Sequence, residues 1–308
     1  MKSNINLYLL LILFFALDFT SCNQKDFNKL ANQEVPVFVK VSSDSSGIDF
    51  SNDLVFDEEF NIFTYRNFYN GGGVSIGDIN NDGLPDLYFT SNLNKNKLYL
   101  NQGNLKFKDI TESAGVEGSR AWSTGVSMVD INADGYLDIY VCNSGDIAGD
   151  NKQNELFINN GDLTFAERAE EHGLDDRGFS THAAFFDYDK DGDLDAYLLN
   201  NSYQAIGSFN LMKNKRPERD SVGGDKFFRN EDGKFVDISE EANIYGSVIG
   251  FGLGVTVGDI NMDGWQDIFV SNDFFERDYL YINQQDGTFK ESLTEQMNSI
   301  SAASMGAD

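Results

Sequence analysis

Four nine-residue segments constrain this chain more than any other feature: "DINNDGLPD" from residue 78, "DINADGYLD" from 130, "DYDKDGDLD" from 187 and "DINMDGWQD" from 259. Each puts an oxygen-bearing side chain at positions 1, 3 and 5, glycine at 6 and aspartate at 9. Carboxylates this close repel one another unless a cation or hydrogen-bond donors face them. A chain that repeats the arrangement four times needs four similar frames to hold it. The loop starts are 52, 57 and 72 residues apart, which sets the size of that frame.

Other features keep the same period. Small-residue runs precede the loops ("GGGVSIG", "STGVSMV", "STHAAFF", "GLGVTVG") and apolar runs follow them ("LYFTSN", "IYVCNS", "AYLLNN", "IFVSND"). A third and a fourth apolar run come next, joined by Asn and Gly or by Asp-Gly at hairpin spacing. Three units end alike, in "TESAGV", "AEEHGL" and "SEEANI". We expect a single helical turn there, capped by Thr111 or Ser239 in two cases, with Ala169 as the exception. Gly115, Gly173 and Asn243 would take the positive φ that closes it. Four strands per repeat and no long helix predict an all-β chain, a β-propeller of four-stranded antiparallel blades. Glycine in the small-residue strand marks it as innermost, where backbones crowd together.

The loops themselves predict a metal. Asp78, Asn80, Asp82 and Asp86 would turn their side chains to one hard cation, and the carbonyl of Leu84 at position 7 adds another oxygen. The corresponding sets are Asp130, Asn132, Asp134, Tyr136 and Asp138; Asp187, Asp189, Asp191, Asp193 and Asp195; and Asp259, Asn261, Asp263, Trp265 and Asp267. Ca²⁺ accepts six to eight oxygens in flexible geometry, whereas Mg²⁺ demands a tight octahedron. Four calcium sites are therefore expected. An EF-hand is disfavoured, because its bidentate Glu at position 12 is replaced by Phe89, Val141, Leu198 and Val270, and the flanks read as strands.

The run "NGGGVSIGDINNDGLPDLYFTSN" is similar to the calcium loops of FG-GAP and VCBS repeats, as in integrin α-subunit propellers. With "LYLNQGNLKFKDITESAGV" behind it, the sequence resembles the cartilage acidic protein (ASPIC/UnbV-associated) family more closely. The resemblance covers about residues 37–308 and implies an exported, calcium-bound propeller. It departs from the pattern in lacking a literal Gly-Ala-Pro triplet, though Phe251-Gly252 occurs, and in carrying no ASPIC/UnbV C-terminal domain. "SMGAD" aligns with "GLGVT", and "VSSDSSGIDF" reads as the outer part of another blade. The expectation is an incomplete part of a larger, seven-bladed type of propeller.

Ahead of the repeats, Lys2 is followed by an apolar run from Leu7 to Leu17 and then "DFTSC". Eleven apolar residues are too few to span a bilayer as a helix, and a short run behind a positive charge is an export signal. "FTSC" resembles a bacterial lipoprotein cleavage box, with Phe19 where Leu is usual and Cys22 as the lipidated residue. Residues 1–21 would be the signal peptide, 22–36 a tether and 37–308 the propeller blades. The expected location is a membrane-anchored lipoprotein on the cell surface or periplasmic face, at the outer membrane. Cys142 lies in the strand-like "LDIYVCN" and reads as a small buried residue.

Fifty acids against 23 bases give a net charge of −27, which repels nucleic acid and anionic lipid. No nucleic-acid partner is expected, and membrane contact only through a lipid anchor. His172 and His182, the only imidazoles, read as structural. Loop carboxylates that hold metal are not free for acid–base work. These points favour a surface binding, adhesion or scaffold module with a protein or glycan ligand, and no enzyme. The alternative is a glycan-degrading lyase or hydrolase, which needs a carboxylate or Arg/Lys constellation outside the loops. The one candidate is the insertion 201–226, with Lys213, Lys215, Arg216 and Arg219; a solvated loop is its plainer reading.

Overall fold

A computed structural model describes residues 38–120, 122–145, 152–204, 213–274, 276–301 and 303–306. The signal peptide, the tether and Cys22 lie outside them. Two compact units are distinguished, Met1–Ser42 and Ser43–Asp308. Of the first, residues 38–42 are exposed and irregular.

The second unit contains four four-stranded antiparallel sheets, each with its strands in sequence order. The first holds β1 (Val74–Gly77), β2 (Asp86–Phe89), β3 (Lys97–Asn101) and β4 (Phe107–Asp109). The second holds β5 (Ser123–Val129), β6 (Asp138–Asn143), β7 (Glu155–Asn159) and β8 (Phe165–Glu167). The third holds β9 (Ser180–Phe186), β10 (Asp195–Asn200), β11 (Lys226–Glu231) and β12 (Lys234–Asp237). The fourth holds β13 (Gly252–Gly258), β14 (Asp267–Asn272), β15 (Tyr279–Asn283) and β16 (Phe289–Glu291). The strand assignment read from the repeats is borne out, and the sheets are blade-like.

Successive sheets pack face to face, so strand residues alternate between two cores. In β6, Ile139 and Val141 face Leu98 and Tyr88 of the first sheet, whereas Tyr140 and Cys142 face Ala196 and Leu198 of the third. In β10, Tyr197 and Leu199 face Tyr279 and Val270 of the fourth. A strand covered on both faces needs apolar side chains at every position, which is why these segments read as unbroken apolar runs. Cys142 is buried between two sheets, as its plainer reading had it, and burial pushes its thiol pKa up.

The inner strands lie side by side. A Cβ on Gly73 would stand 2.7 Å from the Thr124 carbonyl oxygen, and one on Gly125 would collide with that of Thr181. Threonines stitch the strands: Thr124 donates to the Ser180 carbonyl (2.7 Å) and Thr181 to that of Gly252 (3.0 Å).

The helical turns α1 (Ser43–Ser46), α2 (Thr111–Ala114) and α3 (Ala169–His172) are each followed by a positive-φ glycine, Gly47, Gly115 and Gly173. In the "SEEANI" segment Asn243 does the same at φ 59°. A fourth turn, α4, spans Leu293–Gln296. Gly47 and Gly173 lie against the carbonyls of Phe107 and Phe235, so α1 sits before the first sheet as α3 sits before the third. "VSSDSSGIDF", read as the outer part of another blade, thus holds a turn placed like α3. Ser304 likewise bonds Asp278 (3.0 Å), as Ser123 and Ser180 bond Asn96 and Asn154.

The expected hydroxyl caps are a correction. The N-cap of α2 is Ile110, with no side-chain cap bond. Thr111 Oγ1 instead accepts the Leu98 N–H of β3 (2.9 Å) and donates to Asp109 (2.5 Å). Ser239 does the same for Phe227 N–H (2.8 Å) and Asp237 (2.5 Å). Where the hydroxyl is missing, at Ala169 and Leu293, the acid two residues earlier is longer. Glu167 then reaches the Leu156 N–H (3.3 Å) and Glu291 that of Leu280 (3.5 Å). One extra methylene replaces the hydroxyl relay. Thr111→Ala should cost about 1–2 kcal/mol by stranding the Leu98 N–H, and adding Asp109→Glu should recover part of it. A double-mutant cycle on thermal midpoints measures this coupling; a double mutant no better than Thr111→Ala would refute the relay.

Candidate metal loops and the opposite face

Each aspartate loop joins an inner strand to the second strand of its sheet. Position 1 starts the turn: Asp78 accepts the N–H of Asp82 (3.1 Å) and of Gly83 (2.7 Å). Asp130 and Asp259 repeat both bonds. The carboxylates at position 5, Asp82, Asp134, Asp191 and Asp263, accept the N–H of Leu84, Tyr136, Asp193 and Trp265 at position 7. Glycine at position 6 has φ between 85° and 100° in all four loops. Position 4 is left-handed too, at Asn81, Ala133, Lys190 and Met262, a feature their side chains do not announce.

Position 9 serves the frame as well as the loop. Asp138 is fully buried; one oxygen accepts Ile131 N–H (3.0 Å) and the other Asn159 N–H at the end of β7 (2.8 Å). Asp86, Asp195 and Asp267 make the equivalent pairs with Ile79 and Asn101, Tyr188 and Asn230, and Ile260 and Asn283. Burial raises their pKa values, that of Asp138 to about 6 and that of Asp195 to about 7. A carboxylate oxygen has two lone pairs, so an N–H on each leaves capacity for a cation.

The sequence reading missed the four third-strand asparagines that brace the loops. Asn159 donates to the Leu137 carbonyl of its own loop and to the Ile79 carbonyl of the preceding one (2.8 Å). Asn283 does so to Gln266 and to Tyr188 (2.9 Å). Asn101 and Asn230 bind the carbonyls of Pro85 and Leu194. Their signal was an Asn closing every third apolar run. Neighbouring loops also touch: Asn81 donates to the Gly135 carbonyl (2.9 Å), and the Lys190 ammonium lies 4.2 Å from the Trp265 ring centre.

The third loop differs. In the others the amide of Asn80, Asn132 or Asn261 donates to the position-5 carboxylate. Asp189 has no such donor. Asp187, Asp189 and Asp195 bring carboxylate oxygens within 4.8 Å of one another, the one such acidic group of three among the described residues. Oδ1 of Asp187 and Oδ1 of Asp193 are buried without a hydrogen-bond partner. Burial, then the neighbouring acids, raise the pKa values of Asp189 and Asp193. Converging and stranded carboxylate oxygens are what a hard cation would satisfy, and an all-oxygen donor set suits Ca²⁺. The third loop should therefore fill first. Asp189→Asn should bring it level with the others and Asn80→Asp should strengthen the first loop, each by a few-fold in affinity. Calcium calorimetry reads both; an unchanged tightest site in Asp189→Asn would rule out charge count as the control.

The second strands run away from these loops, so the connections to the third strands gather at the far end, with the entries to the inner strands. Two long insertions meet there. Residues 57–70 cross the sheets. Tyr65, Phe68 and Trp122 form an aromatic cluster, and the Tyr65 hydroxyl bonds Ser144 (3.0 Å). Arg66 lies 4.8 Å from the Phe251 ring centre and 5.1 Å from that of Phe274, and donates to the Gln204 carbonyl (3.0 Å) and to that of Ser202. Tyr203 of the second insertion donates to the Thr64 carbonyl and stacks on Phe179.

The basic cluster in that insertion is largely engaged. Arg216 binds Glu276 through two nitrogens (2.6 and 3.1 Å), Arg219 donates to the Ile244 carbonyl (2.8 Å), and Lys213 pairs with Glu218 (3.5 Å). Arg216 and Arg219 are thus tied to the fold, unlike side chains of the solvated loop that is the plainer reading. His172 Nδ1 bonds the Gly233 carbonyl (2.7 Å), as a structural histidine should. His182 instead lines a cavity.

The family model described as "FG-GAP-like repeat" matches residues 61–141 and 146–198. These residues therefore carry FG-GAP-like repeats. Its repeats are also similar to cartilage acidic protein 1 of Xenopus tropicalis, 29% identical over 67% of this chain and 29% of the relative. The Homo sapiens protein of that name is 27% identical over 66% of this chain and 28% of its own length. The chain thus spans less than a third of these relatives. A solved structure described as the basis of "specific recognition of non-reducing terminal N-acetylglucosamine" by an Agrocybe aegerita lectin covers 70% of this chain and 50% of that one. Its TM-score is 0.38 at 18% identity, and it carries no argument here.

Proposed function

We propose that this FG-GAP repeat protein is an exported, calcium-loaded binding module whose ligand, a protein or a glycan, docks on the end opposite the aspartate loops. The observation that carries the reading is that residues 57–70 meet residues 202–204, the start of the second insertion, at that end. Repeat folds place their variable loops on the face that binds. The likeness to cartilage acidic proteins supports an extracellular setting. Positions 1, 3, 5, 7 and 9 of the loops would hold Ca²⁺, which fixes the four turns and cancels part of the acidic charge. The metal's role is structural, since the loops lie at the other end from the insertions.

A glycan and peptide array probed with the full chain, with calcium and with chelator, tests this reading. Binding that depends on calcium and is lost when residues 57–70 are shortened is the expected result; binding to nothing in calcium would sink it. Attachment is proposed at Cys22: two or more acyl chains there anchor a protein without a spanning helix. Cys22→Ala should move the protein from the membrane to the soluble fraction, and mutant left in the membrane would point to an uncleaved leader.

A further inference from the structure

A cavity of about 300 Å³ lies where the inner strands begin, beneath the crossing segment 57–70. Asn67 and Asn70 of that segment line it from one side. Thr124, Thr181, His182 and Leu253, from the inner strands of the second, third and fourth sheets, line it from the other. Ligand cavities for small molecules start at about this size.

The chemistry of the lining is uniform in one respect. In a chain of net charge −27, none of the described residues facing this cavity is an acid, a lysine or an arginine. Burial pulls the His182 pKa below its ordinary value, so its ring is neutral and offers one donor and one acceptor. The Thr124 and Thr181 hydroxyl protons are committed to the carbonyls of Ser180 and Gly252, which leaves their oxygens as acceptors. Asn67, itself 8% exposed, stands beside the Tyr65 hydroxyl and carries both donor and acceptor. Leu253 adds an apolar patch. A charged ligand would lose its hydration here with no counter-charge in return. A ligand rich in hydroxyls, each both donor and acceptor, and with an apolar C–H face, matches every group.

We infer that this cavity binds a neutral hexose, either as a free monosaccharide or as the end unit of a glycan. The inference names a ligand class for the proposed binding end and rests on that reading. The inner-strand glycines bring three sheets close enough to supply the lining, and Tyr65, Asn67 and Asn70 of the crossing segment add to it.

Calorimetry and saturation-transfer NMR on the full chain with calcium test it, using glucose, galactose, mannose, their methyl glycosides and β-linked disaccharides, with glucuronate as a charged control. At least one neutral hexose should bind and glucuronate should bind at least tenfold more weakly. Binding of methyl glycoside and disaccharide as well identifies a glycan end; binding of the monosaccharide alone identifies a free sugar. Asn67→Leu and His182→Leu should each weaken binding about tenfold, and Leu253→Trp should fill the space and abolish it. Circular dichroism checks that the variants fold; should Asn67→Leu unfold, Leu253→Trp decides. No hexose binding, equal glucuronate binding, or binding indifferent to all three changes would overturn the inference. Array ligands that still bind Leu253→Trp would overturn it while leaving the broader binding reading intact.

Discussion

Removing calcium should lower the thermal midpoint by on the order of 10–20 °C. Thirteen carboxylates stand at positions 1, 3, 5 and 9 of the four loops. In the third loop Asp187, Asp189 and Asp195 crowd within 4.8 Å and two buried oxygens, of Asp187 and Asp193, have no partner. Four ions of charge +2 would cancel eight of the 27 net negative charges. A cation that binds only the folded state adds RT ln(1 + [L]/Kd), about 1.4 kcal/mol per site at tenfold excess over Kd. Four independent sites sum to about 5–6 kcal/mol, and each kcal/mol moves the midpoint of a chain this size by roughly 2–4 °C. Melting curves in calcium and in chelator measure the shift. Magnesium should restore little of it, because it keeps its waters and demands a tighter shell. Coincident curves in calcium and chelator would dispose of the metal reading of all four loops.

The sequence made the repeat legible because its signals are local. An Asp-x-Asn-x-Asp-Gly turn, a glycine after a helical turn and an Asn-Gly hairpin each act within a few residues, so spacing alone exposes them. What it hid are bonds between distant residues. Thr111 resembled a helix cap, yet its hydroxyl serves Leu98, thirteen positions away across a strand pair. The exchange of Asp109-x-Thr111 for Glu167-x-Ala169 becomes meaningful only once both reach the same kind of N–H. Position 9 read purely as a metal ligand, although Asp138 also joins Ile131 to Asn159. Residues 57–70 carry no periodicity, so nothing local places Arg66 between Phe251 and Phe274. Nor did the sequence show that His182 lines a cavity, because a cavity between three sheets has no signature in any one of them.

Asp225→Asn should stabilise the protein by roughly 2–4 kcal/mol at pH 8 and by almost nothing at pH 4. Asp225 is 3% exposed; it accepts the Asn200 N–H (2.9 Å) and the Tyr197 hydroxyl (2.8 Å). Asparagine already fills this place in the first two sheets: Asn96 accepts the Ser91 N–H (2.9 Å) and Asn154 that of Asn143 (2.8 Å). Asn154 also donates to the hydroxyl of Tyr140 (2.9 Å), the counterpart of Tyr197, and Tyr140 passes its proton to the Leu174 carbonyl (3.0 Å). The Ile244 carbonyl, the repeat counterpart of Leu174's, accepts from Arg219 (2.8 Å) and has a second lone pair for a hydroxyl. An amide at 225 therefore keeps both bonds and sheds the charge. Burial raises the Asp225 pKa to about 7, opposed by the Asn200 N–H, the Tyr197 hydroxyl and the Arg219 charge. Between pH 4 and 7 the folded chain then keeps a proton that the unfolded chain, with an ordinary carboxyl near 3.8, releases. Stability from this group is full below pH 4, falls as pH rises and is gone above 7. The variant removes that slope, so the difference between the two proteins should open with rising pH. Loop carboxylates titrate identically in both and cancel from the comparison. Thermal midpoints from pH 4 to 8 decide it: a variant no more stable than its parent at pH 8 would mean that Asp225 is held neutral, or its charge matched, by its neighbours.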